Sequence, residues 1–140
     1  MAPESNRMIK VEECRLGNDV LFKSQHKISR VQLDFSHFEL LSKGQAALFF
    51  PVVLKVEILE AYGFKENKDY PLAPQAREYK LILPLPGKEH YELSAYLKSN
   101  GESFARAVLG SNPASTNVYH LHQLQNLHFA LTGTELKIIR

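Results

Sequence analysis

The chain's 140 residues, 44% of them hydrophobic, suffice for one domain with an ordinary core and are too apolar for a disordered chain. Seventeen basic and fifteen acidic side chains leave a net charge of only +2, and residues 1–70 carry ten of each sign, so bulk charge excludes a strongly basic nucleic-acid module. The single cysteine, Cys14, excludes an internal disulfide and any multi-cysteine zinc cluster.

Residues 1–8 read as a flexible, polar lead-in without a signal-peptide core, and residues 9–140 as one domain. No apolar run approaches the ~20 residues of a membrane span, so no membrane partner and a cytoplasmic location are expected. Asp19 to Lys23 predicts a short strand. Ile28 to Phe35 predicts a second, in which Val31, Leu33 and Phe35 alternate with Arg30, Gln32 and Asp34 to give one wet face. Phe38 and Leu40 fall on the other parity, which predicts a turn or bulge and then a further strand. Pro51 is suited to a first helical position, and Leu54, Ile58, Leu59 and Tyr62 recur at helical spacing, so a helix is expected from Pro51 to Tyr62. Tyr62-Gly63-Phe64 predicts its stop, with Gly63 left-handed and Phe64 folding back on Leu59 in a Schellman cap.

Residues 65–74 read as a surface connection, and an antiparallel meander follows. Tyr79, Leu81 and Leu83 lead into a break at Pro84–Gly87. Tyr91, Leu93, Ala95 and Leu97 then alternate with Glu92, Ser94, Tyr96 and Lys98. Asn100-Gly101 predicts a type I′ hairpin turn returning through a strand at Glu102 to Leu109. Ser115, Thr116 and Asn117 are N-cap candidates for a last helix that runs to about Thr132, with Leu121, Leu124, Leu127 and Leu131 inward and Gly133 as its stop. Leu136, Ile138 and Ile139 are expected as a final edge strand. The expected class is α+β: a single domain with an antiparallel sheet, made of N-terminal strands plus the C-terminal meander, packed by two helices.

No nucleophile elbow, phosphate loop, dinucleotide fingerprint or zinc-protease motif occurs, and no catalytic group, metal or cofactor is assigned. His120, His122 and His128 lie in the last helix at spacings that do not give the i, i+4 pair of a helical metal site; one is expected at the core edge and two on the surface. Asp34 with His37, and Glu89 with His90, are local acid–imidazole pairs of the kind that arise by chance near turns. Two surfaces remain as candidates. Arg15, Lys23, Lys27 and Arg30, with His26 among them, cluster about the first strands and could meet phosphates, although a solvated edge that discourages strand pairing explains them as well. Tyr96 on the polar face of its strand, with the amides Gln123, Gln125 and Asn126, could form a partner surface.

The block Tyr119-His-Leu-His-Gln-Leu-Gln-Asn-Leu-His-Phe-Ala-Leu-Thr-Gly-Thr-Glu-Leu136 resembles the C-terminal signature of a group of small uncharacterised proteins from Bacteroidetes genomes, phages and mobile elements, whose chains close on a His-x-Leu-Gln-Asn-Leu-x-Phe-Ala-Leu-Thr-Gly segment. Arg15-Leu16-Gly17-Asn18 and Tyr62-Gly63-Phe64 agree in the same order. His128 stands where the group often has Tyr, and Phe49-Phe50-Pro51 departs from its usual Pro-rich polar entry. The resemblance implies a shared fold and a mobile-element origin, and transfers no functional residue. Three readings follow: a non-enzymatic interaction module that binds another macromolecule, with an unknown protein as partner; a nucleic-acid binder using the basic first strands; and a small enzyme in which a helix histidine meets a carboxylate brought near by the fold.

Overall fold

A computed structural model describes residues 9–25, 27–72, 75–83, 91–110 and 112–138. The expected 84–87 break, His26 and the Glu89–His90 pair fall outside the described residues. The fold is α+β, and its strands form two separate antiparallel sheets. The chain divides into two compact units, residues 1–53 with 120–126 and residues 54–119 with 127–140. Among the described residues, no helix is long and apolar enough to cross a membrane.

The first unit holds a three-stranded sheet of β1 (Asp19–Ser24), β2 (Lys27–Gln32) and β3 (Phe49–Phe50), ordered β2-β1-β3. Val20 lies opposite Val31 and Phe22 opposite Ser29, so the expected alternation sends Val20, Phe22 and Val31 to one face. That face joins Ile9, Leu33, Leu41 and Phe49 in the unit's core.

The strand expected to continue to Phe35 stops at Gln32, and α1 (Phe35–Ser42) replaces the expected bulge and further strand. Asp34 causes the switch. Its carboxylate accepts the N–H groups of Ser36 and His37, while Nδ1 of His37 accepts the Asp34 N–H at 3.0 Å. This is a capping box with histidine in the place usually held by Glu or Gln. The helix resets the parity, and Phe35, expected in the core with Val31 and Leu33, is 79% exposed. His37 instead turns inward, edge-on to Phe22 and Phe49.

The helix expected from Pro51 shortens to α2 (Val56–Ala61), in the second unit. Within the first unit, Val53 bridges to His120 and the Val52 carbonyl accepts the N–H of Leu121, so these β-branched residues stay extended. The stop of α2 is a Schellman cap as expected: Phe64 N–H donates to Leu59 O, Gly63 N–H donates to Glu60 O, and Gly63 has φ +92°. Gly63→Ala is expected to cost about 1–2 kcal/mol, because an L side chain is strained at that φ; urea denaturation measures it.

The second sheet runs β4 (Lys65–Asn67), β5 (Ala76–Ile82), β6 (Tyr91–Lys98), β7 (Ser103–Leu109), β8 (Asn112–Pro113) in sequential order. The start of the expected surface connection pairs as β4, fastened by a two-pronged Arg77–Glu66 ion pair and by Asn67 donating to Glu78. The Asn100-Gly101 hairpin forms, but not as type I′. Gly101 alone of the pair has positive φ, and Gly101 N–H donates to Lys98 O, so Ser99-Asn100-Gly101 makes a three-residue loop with glycine left-handed. Asn100 Oδ1 accepts the Glu102 N–H and stabilises this alternative.

The last helix, α3 (Leu121–Thr132), begins later than its expected caps and ends as expected before Gly133, which has φ +74°. Ser115 instead braces the edge of β7, accepting the Ala107 N–H. Residues 135–138 form no strand, although Leu136 is buried.

Candidate functional site

Two of the segments singled out in the sequence meet in the first unit. Asn18 lies at the entry to β1 and Asn126 in α3, 108 positions away; Asn18 Nδ2 donates to Asn126 Oδ1 at 2.9 Å. The same oxygen accepts from Arg15 Nε at 3.0 Å, and Asn126 Nδ2 donates to the Glu13 carbonyl at 2.6 Å. Asn18 Oδ1 folds back to accept the Arg15 N–H, and Gln125 Oε1 accepts the Asp19 N–H at 2.8 Å. The amides of the Gln-Leu-Gln-Asn run therefore bond the Arg-Leu-Gly-Asn run. This is a structural network, since buried amides that bond one another satisfy groups otherwise costly to desolvate.

This network engages the amides of the expected partner surface within the unit. Gln125 is buried, Gln123 and Asn126 are half-buried, and each bonds within the unit. Tyr96 belongs to the second unit and is only 8% exposed, because Phe104 lies opposite it in register and stacks on its ring at 5.0 Å. Both faces of the middle of β6 are buried, so its alternating pattern does not mark a wet face there.

The basic cluster is also partly occupied. Arg30 pairs with Asp19 at 2.9 Å, and Arg15 is held by Asn126. Lys23 and Lys27 are exposed at the end of the β1–β2 hairpin.

The histidines depart furthest from expectation: His120, His122 and His128 are all buried. His128 is structural, its Nδ1 lying 2.9 Å from the Thr134 carbonyl in the second unit. Two residues apart, His120 and His122 would point to nearly opposite sides if both lay in one helix. His120 precedes the helix, however, and its ring lies parallel to that of His122 with centroids 6.1 Å apart. The Gln123 side chain accepts the His120 N–H, the back-bond of an N-terminal cap.

These residues line a cleft of about 300 Å³ in the first unit. Ile9 and Pro51 give it apolar wall, Lys10 an exposed ammonium, and Glu13, His120, His122 and Gln123 its polar side. Glu13 Oε2 takes a hydrogen bond from Gln123 at 3.2 Å, and its Oε1 lies 3.5 Å from His122 Nε2. That last separation is long for a hydrogen bond. His122 is 1% exposed, yet neither ring nitrogen has a hydrogen-bond partner. Burial pushes its pKa below the ordinary imidazole range, against the upward pull of the Glu13 carboxylate, so the ring is neutral with one donor and one acceptor. Among the described residues no cluster of three metal-ligating side chains occurs.

Cys14, beside Glu13, is held as the protonated thiol near neutral pH. Burial, then the Glu13 and Glu12 carboxylates, push its pKa up to about 11. Alkylation by iodoacetamide at about pH 8 is expected to run roughly a hundredfold slower than for free cysteine, as followed by mass spectrometry.

The Glu13–His122 pair escaped the sequence reading because nothing local to either residue marks the other. The run of amides in α3 was the available signal that its first turns serve something more specific than packing. No protein-family model, curated protein or solved structure matches this chain.

Proposed function

We infer that this chain is a non-enzymatic interaction module of phage or mobile-element origin, acting in the cytoplasm, whose cleft receives a polar side chain of a protein partner. One observation carries the reading: His122 is buried to 1% exposure at a cleft wall with neither ring nitrogen hydrogen-bonded, the Glu13 carboxylate standing 3.5 Å from Nε2. Buried polar groups are nearly always satisfied, and one left unsatisfied beside a cleft marks where a guest contributes the missing bond. The assigned origin rests on the sequence resemblance alone.

The test is affinity capture of the tagged chain from lysate of its source organism, with and without nuclease, in parallel with His122→Phe. A nuclease-resistant partner recovered near stoichiometry by the unaltered chain and lost by the variant is expected. Equal recovery by His122→Phe would overturn the cleft reading. Recovery of nucleic acid that Lys23→Glu with Lys27→Glu abolishes would transfer function to the basic hairpin, with a log–log salt slope of roughly −2 for two neutralised phosphates.

A second reading rests on the 3.5 Å approach of Glu13 to His122, an imidazole–carboxylate pair in a cleft and thus a candidate general base. Its test is a hydrolase and nuclease turnover screen. Turnover abolished by His122→Ala would put the enzymatic reading first.

A further inference from the structure

Resting on the cleft reading above, we propose that the guest group is a primary carboxamide, the side chain of an asparagine or glutamine of the partner, taken side by side by His122 Nε2–H and Glu13 Oε1. These two atoms are 3.5 Å apart. A carboxylate next to Nε2 favours the tautomer with its proton there, so the cleft offers a donor and an acceptor as neighbours. A carboxamide presents the reciprocal acceptor and donor at similar spacing, the same two-point fit that Asn and Gln make with the adenine edge. Glu13, with its side chain 35% exposed, is the solvent-facing member of the pair.

Charged guests fit less well. A carboxylate brings two acceptors and would set one against Glu13, and an ammonium has no acceptor for Nε2–H. Lys10 and Glu13 offset each other across the lining, so neither sign of charge gains a net field to replace its lost hydration. A volume of about 300 Å³ lies at the small end of ligand sites and suits one side chain with its flanking backbone.

The experiment uses the full purified chain, ¹⁵N-labelled, with propionamide, N-methylacetamide, propionate and propylamine as probes. The ring nitrogens of His122 are followed by long-range ¹H–¹⁵N NMR, and His122→Leu and Glu13→Ala serve as controls. Propionamide is expected to shift the His122 Nε2 signal saturably and to bind roughly tenfold more tightly than the other three, the worth of one well-made hydrogen bond. Glu13→Ala should remove that preference. Tighter binding of propionate or propylamine would overturn the proposal in favour of a charged guest, and tighter binding of N-methylacetamide in favour of a backbone peptide group. No saturable response to any probe would refute it, while capture that still depends on His122 would leave the interaction-module reading standing.

Discussion

Asn18→Ala is expected to destabilise the protein by roughly 2–4 kcal/mol. Asn18 is fully buried, and its one amide serves both ends of the network. Its Oδ1 takes the Arg15 N–H at 2.7 Å, and its Nδ2 donates to Asn126 at 2.9 Å and, at a longer 3.4 Å, to Gln125. Alanine removes those bonds, takes the Asn18 acceptor from the part-buried Arg15 N–H and leaves two amide oxygens each short of a donor. The penalty of stranding such groups exceeds the net value of the bonds themselves. Asn18→Asp separates the causes, because it keeps the acceptor for Arg15 N–H but sets a carboxylate against the Asn126 and Gln125 oxygens. Chemical denaturation should order the three proteins as unaltered, then either variant well below it. A loss under about 0.5 kcal/mol for Asn18→Ala would mean that the network is a surface decoration rather than the tie between the Arg15–Asn18 segment and α3.

His122→Phe should act in the opposite direction on stability. The native ring is buried with two unsatisfied nitrogens, so an apolar ring of similar shape removes a desolvation cost, and a gain of about 1–2 kcal/mol at neutral pH is expected. His122→Leu guards against overpacking and should shift stability the same way. The pH dependence gives an independent check. Burial lowers the folded-state pKa of His122 below the unfolded value of about 6.5, so the unfolded chain binds the proton more tightly. Stability from the neutral ring is therefore fully present above that value and is lost as pH falls from 6.5 toward the depressed folded pKa. The difference in stability between His122→Phe and the unaltered chain should accordingly widen on acidification. A difference that stays flat between neutral and mildly acidic pH would show that the ring does not titrate abnormally. Stability gained together with partner binding lost is the pattern of a group retained for function at a cost to the fold.

Much of the local structure was legible because its causes lie within a few residues. The alternation around Val20 and Val31 produced paired strands, since period two selects a face directly. The Schellman cap at Tyr62-Gly63-Phe64 and the stop at Gly133 followed from the left-handed backbone that glycine tolerates. The capping box at Asp34 was equally local and was missed because His37 fills the place where Glu or Gln is the usual sign. Asn100-Gly101 marked the hairpin but not its turn type, because the Asn100 side chain favours a different loop by accepting the Glu102 N–H.

The candidate site was written at a longer range. Periodicity in α3 identified buried leucines correctly at Leu121 and Leu124, but it could not place His120 ahead of the helix or the rings of His120 and His122 side by side. That arrangement depends on Val52 and Val53 staying extended to bond Leu121 and pair with His120, a choice that overrides the helical spacing downstream of Pro51. The meeting of Glu13 with His122 depends in turn on the Asn18, Gln125 and Asn126 amides closing a chain separation of more than a hundred residues. Short-range steric and hydrogen-bonding preferences are carried residue by residue, so the elements and their stops can be read from the chain. Burial of an imbalanced imidazole beside a carboxylate arises only when distant segments pack, so the cleft and its chemistry belong to the folded unit.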